Sequence, residues 1–165
     1  MITPTGALIL LVPVLPIAIW VAVNDMARMK IPNKAVLALL AVWPILGWLA
    51  VPSLTAWFWG FALAGIVLIV GFLLYSMGGF GAGDAKYAAA MAPIFVGANP
   101  LWVAVVVASC LVGALILHRV LKAVPAVRRA TPDWESWSQR IFFPLGFALS
   151  GIVVFYLVAA AWPHA

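Results

Sequence analysis

Apolar stretches without a charge alternate along this chain with short polar ones. The runs at 6–23, 35–52, 54–77, 101–117 and 141–162 each approach or reach the length that crosses a bilayer as a helix, roughly 17–25 residues. A further run, 85–98, is shorter, rich in alanine, and carries Lys86 near its start. The pattern predicts an all-α, polytopic membrane protein. No internal repeat stands out, no soluble domain fits between the runs, and the only long polar stretch is 118–140. Residues 1–165 are therefore expected to form a single integral-membrane domain.

Composition excludes the alternatives. Apolar residues make up 67% of the chain and charged ones 8%, with a mean hydropathy of +1.20. Soluble domains lie nearer half apolar and a quarter charged. Nine basic and four acidic side chains cannot cover a water-soluble surface, nor do they suit a disordered segment, a coiled coil or a nucleic-acid-binding domain. Cys110 is the one cysteine, which rules out an intrachain disulfide framework and a Cys-rich zinc site.

The placement of charge predicts the topology. If all six runs cross the membrane, the segments 24–34, 78–86 and 118–140 lie on one side. They hold every Lys and Arg: Arg28, Lys30, Lys34, Lys86, Arg119, Lys122, Arg128, Arg129 and Arg140. The opposite side (1–5, 53, 99–100 and 163–165) holds none. The positive-inside rule then puts the basic segments in the cytoplasm and both termini outside. Omitting the crossing at 85–98 would expose the most basic loop to the outside, so six transmembrane helices are expected. Trp57, Trp59, Trp102 and Trp162 fall near the outer boundary, as an aromatic belt does. The net charge of +5 is mostly topology, and no nucleic-acid partner is expected. Residues 1–6 lack the positive region of a cleaved signal peptide, so the first run is expected to be a retained helix.

Chemistry has to come from the few polar residues near the membrane. Asp133 and Glu135 sit beside Trp134 and Trp137 in the 118–140 loop and read as a solvated or interfacial segment. That loop is expected to be either a plain connector or a helix lying on anionic membrane lipid. Asp25 and Asp84 both fall at the cytoplasmic membrane boundary, where an ionisable group is costly and a functional candidate by default. Either has a bland reading: Asp25 pairing with Arg28 or Lys30, Asp84 capping the helix that follows it. Capping does not explain the stretch Gly78-Gly79-Phe80-Gly81-Ala82-Gly83-Asp84, four of whose seven residues are glycine. Such a loop permits unusual backbone angles and close approach of another chain. It lacks the Gly-Lys-Ser/Thr ending of a phosphate-binding loop.

Two adjacent carboxyls in a low-dielectric site share one proton. One then acts as base on a water while the other, protonated, polarises a carbonyl. This chemistry needs no metal and no cofactor, and neither is expected here. Nucleophilic serine or cysteine schemes are poorly served, because His118 and His164 are the only histidines.

The segments Asp25-Met-Ala-Arg-Met-Lys-Ile31-Pro32-Asn33 and Gly81-Ala-Gly83-Asp84-Ala-Lys86 resemble the two signature segments of the type IV prepilin peptidases. The resemblance spans roughly residues 15–100. It implies an intramembrane aspartic endopeptidase that removes a short basic leader from prepilin or pseudopilin substrates at the cytoplasmic face of a bacterial inner membrane. Asp25 and Asp84 would be the catalytic pair, with Gly81 and Gly83 shaping the active-site loop. Pro32 would start the second helix. Asn33 either orients a group in the site or supplies helix-start polarity. Lys86 either stabilises an ionised Asp84 or marks the membrane boundary, the second being favoured. Phe143-Pro144-Leu145-Gly146-Phe147-Ala148 resembles the opening of the family's last helix more loosely, and no catalytic role is assigned to it. Only about ten residues separate the first two runs and no Cys-x-x-Cys pair is present, as in the short, peptidase-only form of tight-adherence (Flp-type) systems. No methyltransferase activity is expected. The rival reading is a small ion- or proton-coupled transporter using the same two aspartates; the oligomeric state stays open.

Overall fold

A computed structural model describes residues 1–139 and 143–162. Its elements are α1 (Pro4–Arg28), α2 (Asn33–Ala50), α3 (Leu54–Ser76), α4 (Ala82–Met91) running into a 3-10 turn (Ala92–Phe95), α5 (Pro100–Ala123), α6 (Pro125–Ala130), a second 3-10 turn (Glu135–Trp137) and α7 (Leu145–Ala161). The described residues contain no strand. The all-α expectation holds. Four helices, α1, α2, α3 and α5, are long and apolar enough to cross a membrane, while α7 is apolar but 17 residues long.

Local chemistry sets the helix starts. The Thr3 side chain accepts from the Gly6 N–H at 3.0 Å, and Pro4 occupies the first turn, where a missing N–H is harmless. Ser53 caps α3 through the Ala56 N–H at 3.2 Å. Asn99 caps α5 through the N–H groups of Leu101 and Trp102, at 2.9 and 3.3 Å.

Several boundaries differ from the sequence expectation. α1 continues past residue 23 to Arg28, so Asp25 lies on the helix rather than beyond it. α5 runs on to Ala123, turning the start of the expected 118–140 loop into helix. α4 opens at Ala82, which puts Gly83 and Asp84 in its first turn rather than in a loop. The last helix begins at Leu145. Residues 141 and 142 of the expected last span, together with Arg140, His164 and the expected outer segment 163–165, lie outside the described residues.

The helices pack through small residues and indoles. The start of α1 meets the end of α2: the Thr3 N–H donates to the Ala50 carbonyl at 2.8 Å, and Gly6 lies against the Ala50 backbone. α2 and α3 are joined by a reciprocal pair in which the Trp43 indole N–H donates to the Trp57 carbonyl at 3.0 Å and the Trp57 indole to the Trp43 carbonyl at 3.2 Å. Gly60 leaves room for the Trp43 ring. α7 is packed mainly against α1 and α5 and also touches α4. Its buried face includes Ala148, Leu149, Ile152, Val153 and Leu157. α3 and α5 bury few residues and present long apolar faces outward, as lipid-facing helices do.

The long polar segment is not free. α6 has no buried residue, but the chain then returns and its second 3-10 turn packs on α1. Trp137, buried, stacks on His118 with ring centroids 5.4 Å apart, and Trp134 stacks on Trp137 at 5.5 Å. Asp133 and Glu135 stay exposed.

Candidate active site

α1 ends in a tight reversal. Met29 adopts φ 50°, the one positive φ at a non-glycine among the described residues, and its N–H bonds the Asp25 carbonyl at 2.8 Å. A side chain in that region costs about 1–3 kcal/mol and persists only where the surroundings enforce it. The Asn24 side-chain amide supplies one such restraint, donating to the Lys30 carbonyl at 2.5 Å. The reversal folds Ile31 back beside α4, where the Gly83 position lies against its side chain.

Asp25 is 4% exposed. Its Oδ2 accepts the Phe147 N–H at 3.3 Å, from the first turn of α7. Arg28 and Lys30, the ion-pair partners weighed from sequence, are both exposed. Gly146 is what permits the approach: a Cβ there would lie 3.0 Å from Asp25 Oδ2 and 2.8 Å from Ile31 Cδ1.

Asp84 sits in the first turn of α4. Its carboxyl folds back over Gly81, where a Cβ would lie 2.5 Å from Oδ2. Asp84 precedes the apolar run and lies outside the four long apolar helices; burial and then the charge of Asp25 push its carboxyl up to about 6. α4 itself is held by its alanine-rich face and by a bond of 3.2 Å between the Tyr87 hydroxyl and Ser150 Oγ of α7. α7 thus touches α1 at Asp25 and α4 three residues beyond Asp84.

These elements enclose a cleft of about 790 Å³ lined by Asp25, Met29, Lys30, Ile31, Asn33, Gly78 to Asp84, Lys86, Gln139, Phe143 and Leu145. Of the residues singled out from sequence, Asp25, Asp84, Gly81, Gly83, Asn33 and Lys86 converge on it. Pro32 does not line it: it is the cap residue of α2, and its carbonyl accepts from Ala35 and Val36 at 3.0 and 3.2 Å. Gly83 has no positive φ, and a Cβ at that position would make ordinary contact with Ile31 at 3.5 Å. Sequence reasoning missed Lys30, Phe80, Gln139 and Phe143 on the walls, and Gly146 and Phe147 behind Asp25. For the last two a signal existed, a glycine two positions after Pro144 at the start of an apolar helix. Among the described residues no group of three or more His, Cys, Asp or Glu could hold a metal ion.

The sequence profile of the type IV leader peptidase family matches residues 12–117. The chain belongs to the type IV leader peptidase family. It is a membrane protein and a peptidase. The match takes in both aspartates and the whole of α2, α3 and α4, and ends before α7. Neither the curated proteins nor the solved structures compared with it gave a match.

Proposed function

We propose that this leader peptidase is an aspartic endopeptidase that removes the short basic leader of Flp-type prepilins or pseudopilins, with Asp25 and Asp84 as its catalytic pair. The observation that carries the reading is the convergence of the two carboxyls, from α1 and α4, on one cleft in which the charge of one bears on the other. In this reaction the ionised carboxyl takes a proton from water as the oxygen attacks the scissile carbonyl. The protonated carboxyl donates to the carbonyl oxygen. The resulting gem-diol collapses, breaking the C–N bond, and the departing amine takes up a proton from the pair. Gly81 leaves space for the Asp84 carboxyl and the open glycine segment at 78–81 gives an extended substrate access to it. Lys30 and Lys86 add positive charge to the cleft wall.

The rest of the reading follows from the charge pattern. The chain is a single domain with six crossings, at the bacterial inner membrane, with the cleft facing the cytoplasm and both termini outside. The short connection between α1 and α2, without a Cys-x-x-Cys pair, supports a peptidase without methyltransferase activity. The transporter alternative has no observation in its favour. The test is cleavage of a purified Flp-type prepilin by the full chain in lipid vesicles. Asp25→Asn and Asp84→Asn should each abolish cleavage while still inserting, and the double variant should be no worse than either, because members of one catalytic unit are non-additive. Cleavage retained by either well-inserted variant overturns the aspartic mechanism.

A further inference from the structure

α7 begins without a side-chain cap of its own: its cap residue is Pro144, which makes no side-chain cap bond. The first N–H groups of a helix have no partner within it and present the positive end of its dipole. The acceptor here comes from another helix, since Asp25 Oδ2 takes the Phe147 N–H at 3.3 Å. Phe147 is the third residue of α7, the position whose N–H an ordinary cap would take. Asp25 therefore caps α7 in trans, and Gly146 keeps the space through which it does so.

Asp84 also meets a helix start, the first turn of α4, but there the backbone N–H on its carboxyl is that of Gly81 alone, whereas those of Phe147 and Gly146 both serve Asp25. We propose that the amino end of α7 is a positioning element of the peptidase, fixing the negative charge of the pair on Asp25, so that Asp25 is the base that activates water and Asp84 the acid that protonates the carbonyl. The assignment rests on the aspartic peptidase reading above. Asp84 and Lys86 of α4 and Lys30 after α1 line the same cleft. α7 carries no charged side chain, Lys34 of α2 is exposed, and so is Glu135 in the turn packed on α1. A hydrogen bond favours whichever form of the acceptor is charged. The Phe147 N–H therefore stabilises the singly ionised pair against the fully protonated one. Between the singly and doubly ionised pair it makes no difference, because Asp25 is charged in both.

The experiment is the pH dependence of kcat/KM for prepilin cleavage by the full chain in vesicles. Phe147→Pro deletes the N–H at a position where no intrahelical bond is lost. Phe147→Ala deletes the ring and keeps the N–H. Gly146→Ala, whose Cβ would crowd both the Ile31 side chain at 2.8 Å and Asp25 Oδ2 at 3.0 Å, serves as a second route if proline disturbs the helix start. Phe147→Pro and Gly146→Ala should each move the acid limb up by about one unit and leave the alkaline limb in place. Phe147→Ala should move neither limb, whatever it does to the rate. Movement of the alkaline limb alone would put the charge on Asp84 and overturn the assignment. A fall in rate at every pH with both limbs unmoved would make α7 merely structural. No cleavage by the unaltered chain would overturn the peptidase reading itself, and this inference with it.

Discussion

The approach of α4 to α3 offers a sharp test of how the site is held. Gly71 of α3 faces Ala85, the residue after Asp84: a Cβ at 71 would lie 2.8 Å from Ala85 Cβ and 3.1 Å from its Cα. Carbon atoms rest comfortably at about 3.5–4.0 Å. Gly71→Ala must therefore open the α3–α4 contact by roughly 1 Å, and the atoms in the way belong to backbone and Cβ, which cannot rotate aside. Because Ala85 is bonded to Asp84, the carboxyl moves with it. A misplacement of about 1 Å in a catalytic group can lower the rate on the order of 100-fold. The overpacking itself costs about 1–3 kcal/mol, offset by about 1 kcal/mol of helix propensity gained, so the variant should still fold. Gly65→Ala on the same helix is the control, since a Cβ there meets nothing within 4 Å. Initial rates of prepilin cleavage in vesicles should fall strongly for Gly71→Ala and stay near the original for Gly65→Ala. Adding Ala85→Gly to Gly71→Ala removes the nearest atom and should recover much of the loss. Cleavage by Gly71→Ala within twofold of the unaltered chain would refute the reasoning that this contact positions Asp84.

Other consequences are simpler to measure. Folded Asp84 holds its proton up to about 6, whereas the unfolded carboxyl releases it near 3.8, so its ionisation lowers stability as pH rises through that window. Asp84→Asn should accordingly melt higher than the original above pH 6, with the difference vanishing below about pH 4; equal melting at both ends would contradict it. Gly60→Ala would drive a Cβ into the buried Trp43 indole and should lose about 1–3 kcal/mol in thermal or denaturant unfolding, where the open Gly113→Ala loses little. Reporter fusions near Arg128 should read as cytoplasmic and those at the C-terminus as external; the reverse for Arg128 would break the six-crossing topology.

The class of this protein was legible because hydropathy is local. A helix that meets lipid must be apolar over its whole length, and four such helices stand where the runs predicted them. The two aspartates were legible through short motifs, Asp25 ahead of Ile31-Pro32-Asn33 and Asp84 behind a glycine segment. Helix ends were less so. The polar residues from Asn24 to Arg28 at the end of α1 read as loop, and so did those after residue 117 in α5, although Lys122 and then Pro125 mark an end near Ala123. The return of the 131–139 segment places its 3-10 turn on α1 and Trp137 against His118 of α5, contacts without local periodicity.

What the sequence by itself determined is the burial economy of the chain: which segments are apolar, where the charges gather, and which two carboxyls stand at an apolar boundary. What only the tertiary structure decided is the environment of each carboxyl. The Phe147 N–H that meets Asp25 is backbone, identical in every residue but proline, so no side-chain pattern announces it. Its reach depends on α7 lying against α1 across 122 positions of chain. The bond from Tyr87 to Ser150 couples α4 to the same helix. Composition and spacing specify which groups are available; the packing of α7 on α1 gives Asp25 a backbone partner that lies 122 positions away.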